Sequence, residues 1–414
     1  MRITIITIGS TGDVLPYTGL ARRLAADGHE VAIATHAPFE DTVRTRGVGF
    51  HPLPMDMEAE LTSTRGRRAL RTSSQGSAAM ARLYLQHWRA LGTAIVEAAT
   101  GSDLLLVSAM GWQGVHVAEA LGIPSMGVYL QPMEPTTAFP PWMVTQRSLG
   151  AHGNRVAAKG VRTLGQVPFR SATRALRRDL GLEPVGIRQH FARLERERWP
   201  ALHGFSPTVL PAPPDWPEWR GVVGYWWPVA ATGWEPSTEL VDFLEDGDPP
   251  VLVTLGSMAP QDAERRFASI RTALRAAGRR AIVQTGWAGA GTAPGHDLLT
   301  IGSAPHDWLM ARVTAVVHHA GAGTTAAGLR AGLPAVPLPL AADQPLWARR
   351  LVELGAAPAA LPLRRLDEGR LAEAIRWAVE EPGLRARSRE VADRMADEDG
   401  PGAVAEAIRT GRYW

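Results

Sequence analysis

The sequence predicts an α/β protein of two Rossmann-like domains, each a parallel sheet with helices on both faces, facing a common cleft. Three observations lead there. Short apolar runs alternate with helical stretches over residues 3–130, the pattern of strands buried on both faces by crossover helices. That rhythm stops between Ser206 and Pro236, where seven prolines and five tryptophans fall, and it restarts at Val251. The length of 414 residues accommodates two or three domains at about 150 residues each.

The elements follow in order. Residues 3–8 form an apolar strand that leads through a glycine turn into a helix over 15–27. Asp27-Gly28 ends that helix, and residues 30–35 give a second strand. Residues 103–108 are a third strand, 115–121 a helix stopped by Gly122-Ile123-Pro124, and 125–130 a further strand. Proline cannot serve a central strand, so the segment 211–236 is expected to be a stiff linker between a domain over 1–210 and one over 237–395. In the second domain the strands are 251–255, 281–285, 298–301, 315–318 and 335–339. The tail, 396–414, holds a helix over 403–410 that packs back on the first domain.

Composition removes several chemistries. Cysteine is absent, which excludes disulfides, thiolate metal sites and cysteine nucleophiles. Lys159 is the only lysine and has no glycine-rich lead, so neither a Walker A site nor Schiff-base catalysis is credible. The net charge is only +3 although the sequence pI is about 9.6. With no cysteine and a single lysine little titrates between pH 7 and 10, so the curve is flat rather than the protein strongly basic. Runs such as Arg65-Gly66-Arg67-Arg68 and Arg177-Arg178 lack interleaved aromatics and read as solvated faces, not a nucleic-acid surface. No stretch approaches the ~18 consecutive apolar residues of a membrane span. The threonine-broken opening run reads as a buried strand rather than a signal peptide. A soluble cytoplasmic protein without stable membrane insertion is expected.

Gly9-Ser10-Thr11-Gly12-Asp13 joins the first strand to the first helix. A dinucleotide site would want an acid at the end of the second strand, where Thr35-His36 stands instead. Asp13 sits at the carboxyl end of a parallel strand, where ligands of such sheets bind. Both a helix-capping role and a catalytic-base role are open to it. The sharper signal is His318-His319-Ala320-Gly321-Ala322-Gly323-Thr324-Thr325, a strand end turning into a helix through small residues. That geometry presents backbone N–H groups to a diphosphate. Gly256-Ser257, after the strand 251–255, is a second polar turn able to reach the same phosphates. Adjacent strand residues point to opposite faces, so His318 and His319 do not share a metal ion. Asp246-Gly247-Asp248 and Asp397-Glu398-Asp399 adjoin prolines and glycines and read as turns. No metal requirement is expected.

These residues carry a resemblance. Ser303-Ala304-Pro305-His306-Asp307-Trp308-Leu309, the run His318 to Leu329, and Ala342-Asp343-Gln344-Pro345 resemble the donor signature of family 1 glycosyltransferases. Gly9 to Val14, Leu255-Gly256-Ser257 and Gly224-Tyr225-Trp226-Trp227 extend the likeness over nearly the whole chain. The wording around Pro305, His318 and Asp343, with Thr136 to Pro140, is most similar to the sterol glucosyltransferase and bacterial natural-product branch.

The resemblance implies a GT-B fold, with an acceptor domain first and a nucleotide-sugar domain second. It implies inverting, metal-independent and cofactor-free transfer of a hexose, glucose from UDP-glucose, to a hydroxyl. Asp13 matches the family's general base. Ser257, Ser303, Ala304, His306, His319, Gly321, Ala322, Gly323 and Thr324 match donor positions, with His319 on the phosphate. Asp343 and Gln344 match the pair that hydrogen-bonds the hexose. Ser10, Thr11, Gly12 and Trp287 are added as loop residues on the donor side. Ser303 and Ala327 stand where plant relatives place a tryptophan and a glutamate, which weakens the choice between uridine and thymidine diphosphate.

The acceptor side is read from apolar surplus: Tyr84, Trp88, Trp112, Gln131, Met133, Phe139, Trp142 and Met143. Each alone is accounted for by ordinary packing; together they suit a bulky, rigid, lipophilic acceptor such as a sterol, triterpenoid or macrolide. Relatives of the sterol branch carry membrane-targeting modules before the catalytic core, whereas this chain opens on its first strand, which favours a diffusible natural product. The rivals are a nucleotide-sugar epimerase on the same fold and a TDP-deoxysugar-dependent antibiotic glycosyltransferase.

Overall fold

The computed structural model describes residues 1–63, 73–230, 233–256, 263–285 and 297–411. The chain divides into two units, one of residues 1–207, 211–232 and 399–414 and the other of 208–210 and 233–398.

The first unit holds a seven-stranded sheet in the order β3-β2-β1-β4-β5-β6-β7. Its strands are β1 (Arg2–Ile6), β2 (Glu30–His36), β3 (Gly49–Leu53), β4 (Leu104–Val107), β5 (Ser125–Tyr129), β6 (Ala201–His203) and β7 (Arg220–Val222), all paired in parallel. β1 and β4 are central, and Ile3, Ile5, Ile6 and the whole of β4 are buried, which is why both read as unbroken apolar runs. Winding reverses between β1 and β4, so the loops after these two strands open at a topological switch point.

Helix α1 (Thr11–Ala26) leaves the β1 turn and buries Val14, Tyr17, Leu20 and Leu24 against the sheet. Helix α2 (Ser73–Ala99) and helix α3 (Gln113–Leu121) bury their apolar residues in a second cluster of the same unit, with β4. Helices α4 (Gly150–Gly165), α5 (Arg170–Asp179) and α6 (Ile187–Arg196) follow β5.

Of the segment expected to be a linker, residues 211–232 belong to this unit and contribute β7, and 233–236 belong to the other. Its prolines lie before Arg220 and after Val222, leaving three residues free to pair at the sheet edge, where proline neighbours are tolerated. Beyond the strand, Trp226 is 2% exposed and packs on Tyr17 at 5.5 Å.

The second unit holds a five-stranded parallel sheet, order β10-β9-β8-β11-β12. Its strands are β8 (Val251–Thr254), β9 (Ala281–Gln284), β10 (Leu298–Ile301), β11 (Ala315–His318) and β12 (Ala335–Pro337). Helices α7 (Ala263–Ala277), α8 (His306–Met310), α9 (Ala322–Arg330), α10 (Gln344–Glu353), α11 (Glu368–Glu380) and α12 (Pro382–Ala396) accompany it. Here the switch point lies between β8 and β11. Both sheets agree with the predicted architecture.

Helix α13 (Gly400–Thr410) belongs to the first unit. Its Val404, Ala405, Ala407 and Ile408 enter the cluster of Tyr17, Leu20 and Leu24. Asp399 caps it and pairs with Arg23 of α1 at 2.8 Å.

Candidate active site

In the first unit the chemistry gathers beyond β1. Ser10 starts α1 and Asp13 is its third residue, so the carboxylate reaches back to the helix start. Asp13 Oδ2 accepts from the Ser10 amide at 2.9 Å and from the Ser10 hydroxyl at 3.0 Å. Burial raises the Asp13 carboxyl above the usual aspartate range, against the opposing pull of the Ser10 bonds and the Gln131 side chain. Asp13 therefore both caps the helix and keeps a basicity above that of a solvated carboxylate. Gly9 is obligatory beside it, because a Cβ there would stand 2.4 Å from Asp13 Oδ2. Thr11 is partly buried and Gly12 exposed in the same turn.

His36, which sequence reasoning passed over, positions this turn: its Nε2 accepts the Gly9 amide proton at 3.1 Å. Burial pushes its pKa down to about 4, so the ring is neutral and able to accept.

The apolar residues near these loops separate into two sets. Tyr84 and Trp88, expected on the acceptor side, are 1% and 4% exposed and pack in the core with Phe169. The Tyr84 hydroxyl is taken by the Met110 carbonyl. Trp112 is partly buried and packs on Trp88 at 4.9 Å. Gln131, Met133, Phe139 and Trp142 remain partly buried in the loop after β5, and Met143 is exposed. Asp215 fixes that loop by accepting from Thr136 Oγ1 at 2.5 Å and from the Thr137 amide at 2.8 Å. Asn154 adds bonds to the Thr137 carbonyl at 3.1 Å and the Leu149 amide at 2.8 Å.

In the second unit the end of β11 lies beside that of β8, with His318 paired to Thr254. The two histidines diverge. His318 is buried and its Nδ1 accepts the Ala320 amide at 3.2 Å, a structural use. The His319 ring lies between two glycines: a Cβ on Gly256 would stand 2.4 Å from its Cε1, and one on Gly321 would stand 2.4 Å from its Nε2. Burial lowers its pKa to about 4 although the Thr254 backbone favours the protonated ring, so it is neutral at pH 7. Its buried Nδ1 has no hydrogen-bond partner among the described residues.

Gly321 opens α9 with no side-chain cap among the described residues, which leaves the amides of Ala322, Gly323 and Thr324 directed at the loop. Ala320, just before, is held left-handed at φ 62°. The same occurs at Ala342 (φ 55°), immediately before Asp343 and Gln344. Strained backbone of this kind persists where the surrounding structure imposes it. Asp343 Oδ2 accepts from Trp347 Nε1 at 2.7 Å, and Gln344 Oε1 accepts the Leu340 and Ala341 amides at 2.8 and 3.1 Å. The pair thus orders its own loop after β12.

His306 is partly buried at the start of α8, within electrostatic reach of His318 and His319. Ser303 is exposed, and buried Ala304 gives its carbonyl to Gln284 Nε2 at 3.2 Å. Ser257 and Trp287 lie outside the described residues, as do Arg65, Arg67 and Arg68. Asp246-Gly247-Asp248 follows the helix Thr238–Glu245 with Gly247 at φ 100°, and Asp399 is spent as a helix cap. Among the described residues no helix is long and apolar enough to cross a membrane.

Comparison with known proteins places this geometry. Residues 3–140 match the glycosyltransferase family 28 N-terminal domain, and residues 288–410 match the erythromycin biosynthesis protein CIII-like C-terminal domain. The chain is 36% identical over 410 residues to O-mycaminosyltylonolide 6-deoxyallosyltransferase of Streptomyces fradiae, covering 97% of this chain and 95% of that protein. It is 33% identical over 427 residues to the sterol 3-beta-glucosyltransferase of Debaryomyces hansenii, covering 98% of this chain but only 26% of that longer protein. The crystal structure of the kitacinnamycin glycotransferase superposes with a TM-score of 0.73 at 20% identity, over 99% of this chain and 98% of that one. Two Rossmann-like units with glycine turns at both switch points and full-length kinship to sugar-transferring enzymes lead to one assignment: the chain belongs to the family 1 glycosyltransferases of GT-B fold and is an enzyme of the hexosyltransferase type.

Proposed function

We propose that the protein transfers a hexose from a nucleoside diphosphate to a hydroxyl of a bulky lipophilic acceptor, with inversion and with neither metal nor cofactor. The observation that carries this reading is the uncapped amino terminus of α9 beside neutral His319, an anion site made of backbone donors. Donors of this kind favour the charge that grows on a departing diphosphate.

The step balances with this chain's residues alone. The acceptor oxygen forms a bond to the anomeric carbon, and the bond from that carbon to the diphosphate breaks. Its electron pair leaves with the diphosphate, and the acceptor proton passes to Asp13. A carboxylate of raised basicity suits a proton that becomes acidic only as the new bond forms.

UDP-glucose is the donor favoured by Asp343 and Gln344, whose carboxylate and amide match free sugar hydroxyls. A second reading, a TDP-6-deoxyhexose, is supported by kinship to a 6-deoxyallosyltransferase along almost the full chain. The acceptor is read as a sterol, triterpenoid or macrolide from the apolar loop after β5 and from the names of both relatives.

The test is to incubate the enzyme with UDP-glucose or a TDP-6-deoxyhexose, with and without a panel of hydroxylated lipophiles, and to follow nucleoside diphosphate and glycoside by mass spectrometry. Diphosphate release that requires a lipophile and yields an anomerically inverted glycoside supports the reading. Release with epimerised sugar in the absence of any acceptor sinks it.

A further inference from the structure

From Pro135 to Arg178 the sequence contains eight arginine or lysine residues and not one aspartate or glutamate, in a chain whose overall excess is only +3. Three of the eight are engaged: Arg162 with Glu134 and Glu195, Arg177 with Glu119, and Arg178 beside Asp179. The other five, Arg147, Arg155, Lys159, Arg170 and Arg174, are exposed and make no ion pair among the described residues. The same stretch exposes Met143, Val144, Leu149, Val156, Leu164 and Val167, each between 51% and 69% accessible. Of the five other exposed large apolar side chains among the described residues, only Trp377 exceeds 50% accessibility. On α4 the two chemistries share one side, for Arg155, Val156 and Lys159 are all exposed within little more than one turn.

We propose that the stretch from Met143 to Arg174 is a docking face for an anionic lipid surface. The exposed apolar groups are aliphatic, suited to the headgroup and acyl boundary, and no exposed large aromatic accompanies them to stack on bases. The unpaired cations, with no acidic residue between them, complement lipid phosphate. Such a face would hold the enzyme where lipophilic hydroxyl compounds partition. The proposal does not rest on the proposed activity, because adsorption is read without donor or acceptor.

The experiment is co-sedimentation of the full chain with vesicles of phosphatidylcholine alone or mixed equally with phosphatidylglycerol, at about 50 and about 500 mM salt. Binding is expected to the phosphatidylglycerol vesicles, with release at the higher salt. Arg155→Glu with Lys159→Glu lowers the partition coefficient at least about tenfold, each cation being worth about fivefold near such a surface. Val156→Ser with Leu164→Ser weakens it as well, with thermal midpoints unchanged because all four side chains are exposed. Arg364→Glu with Arg365→Glu, exposed in the other unit, leaves it unchanged. Absence of binding to phosphatidylglycerol vesicles at low salt overturns the proposal and leaves the face to a protein partner. Equal weakening by the Arg364 and Arg365 pair overturns it too, by reducing the effect to net charge.

Discussion

The His36 ring accepts the Gly9 amide through Nε2 at 3.1 Å, and so the end of β2 holds the turn that carries Asp13. Replacing His36 with leucine strands a buried N–H, at a cost of about 1–3 kcal/mol. His36→Leu is therefore expected to lower stability in chemical denaturation and to reduce kcat more than it raises the donor KM. His36→Gln, which can supply an acceptor at similar reach, recovers part of both. Wild-type stability in the leucine variant would show that the bond contributes nothing.

Asp13→Asn separates the helix-start contact of that carboxylate from its proposed role as base. The proposed base role predicts that this substitution lowers kcat by at least about a hundredfold while donor binding persists. Stability moves the other way. The folded pKa is raised by burial, so the carboxyl's contribution to stability is full below its ordinary pKa and is lost as pH rises through the raised value. At pH 7 the ionised group weighs against the fold, and the asparagine variant should melt no lower than wild type. The wild-type profile of kcat/KM should show an acid limb above the ordinary aspartate value. An active Asp13→Asn enzyme removes the residue from the base role.

Those two residues show what the sequence makes legible. The strands β1, β4, β8 and β11 are central and buried on both faces, so their apolar runs stand out unaided. β3 and β7 escape notice because an edge strand needs little: β3 contains Gly49 and Pro52 and β7 has three residues, while β6, paired between β5 and β7, is equally short at three. Within the site, the Gly9 to Asp13 turn and the His319 to Thr324 turn are local chemistry and can be read directly. His36 acts across 27 residues and Asp215 across 78, and no spacing rule joins residues so distant. The burial of Tyr84 and Trp88 is not legible for a related reason: helical spacing identifies an apolar face without saying what covers it.

Buried histidines set the acid limit of the fold. Burial lowers His36, His190 and His319 to about 4, and His116, His203 and His318 to about 3. Groups whose folded pKa is depressed contribute stability above their ordinary value near 6.5, and that contribution disappears as pH falls toward the folded values. Calorimetry from pH 7 down to 4 should show midpoints falling throughout this window, before most carboxylates protonate. A flat profile between about 6.5 and 4 would falsify the assignment of these rings as neutral.

Ala342 is exposed at φ 55°, and a left-handed alanine costs about 1–2 kcal/mol that glycine does not. Glycine in turn gains about 0.4–1 kcal/mol of unfolded-chain entropy. Ala342→Gly is accordingly expected to stabilise by about 0.5–1 kcal/mol in denaturant titration. A rise in donor KM beside that gain would assign the strain to holding Asp343 and Gln344 in place.

The fit of His319 between Gly256 and Gly321 makes a sharper test, because it predicts non-additivity. A Cβ on Gly321 would overlap Nε2 at 2.4 Å, so Gly321→Ala must displace the ring from the α9 amino terminus. If His319 holds the diphosphate as proposed, losing one hydrogen bond to a charged phosphate, about 1.5–3 kcal/mol, raises donor KM roughly tenfold or more. His319→Ala removes the same bond and leaves space where the clash was. The double variant should then bind donor no worse than His319→Ala alone, a coupling as large as the Gly321→Ala effect itself. Gly256→Ala carries the same overlap plus a φ of 67°, so it loses stability as well as donor binding. If the effects of His319→Ala and Gly321→Ala instead add, the glycine serves the backbone amides directly and the histidine is not what it positions.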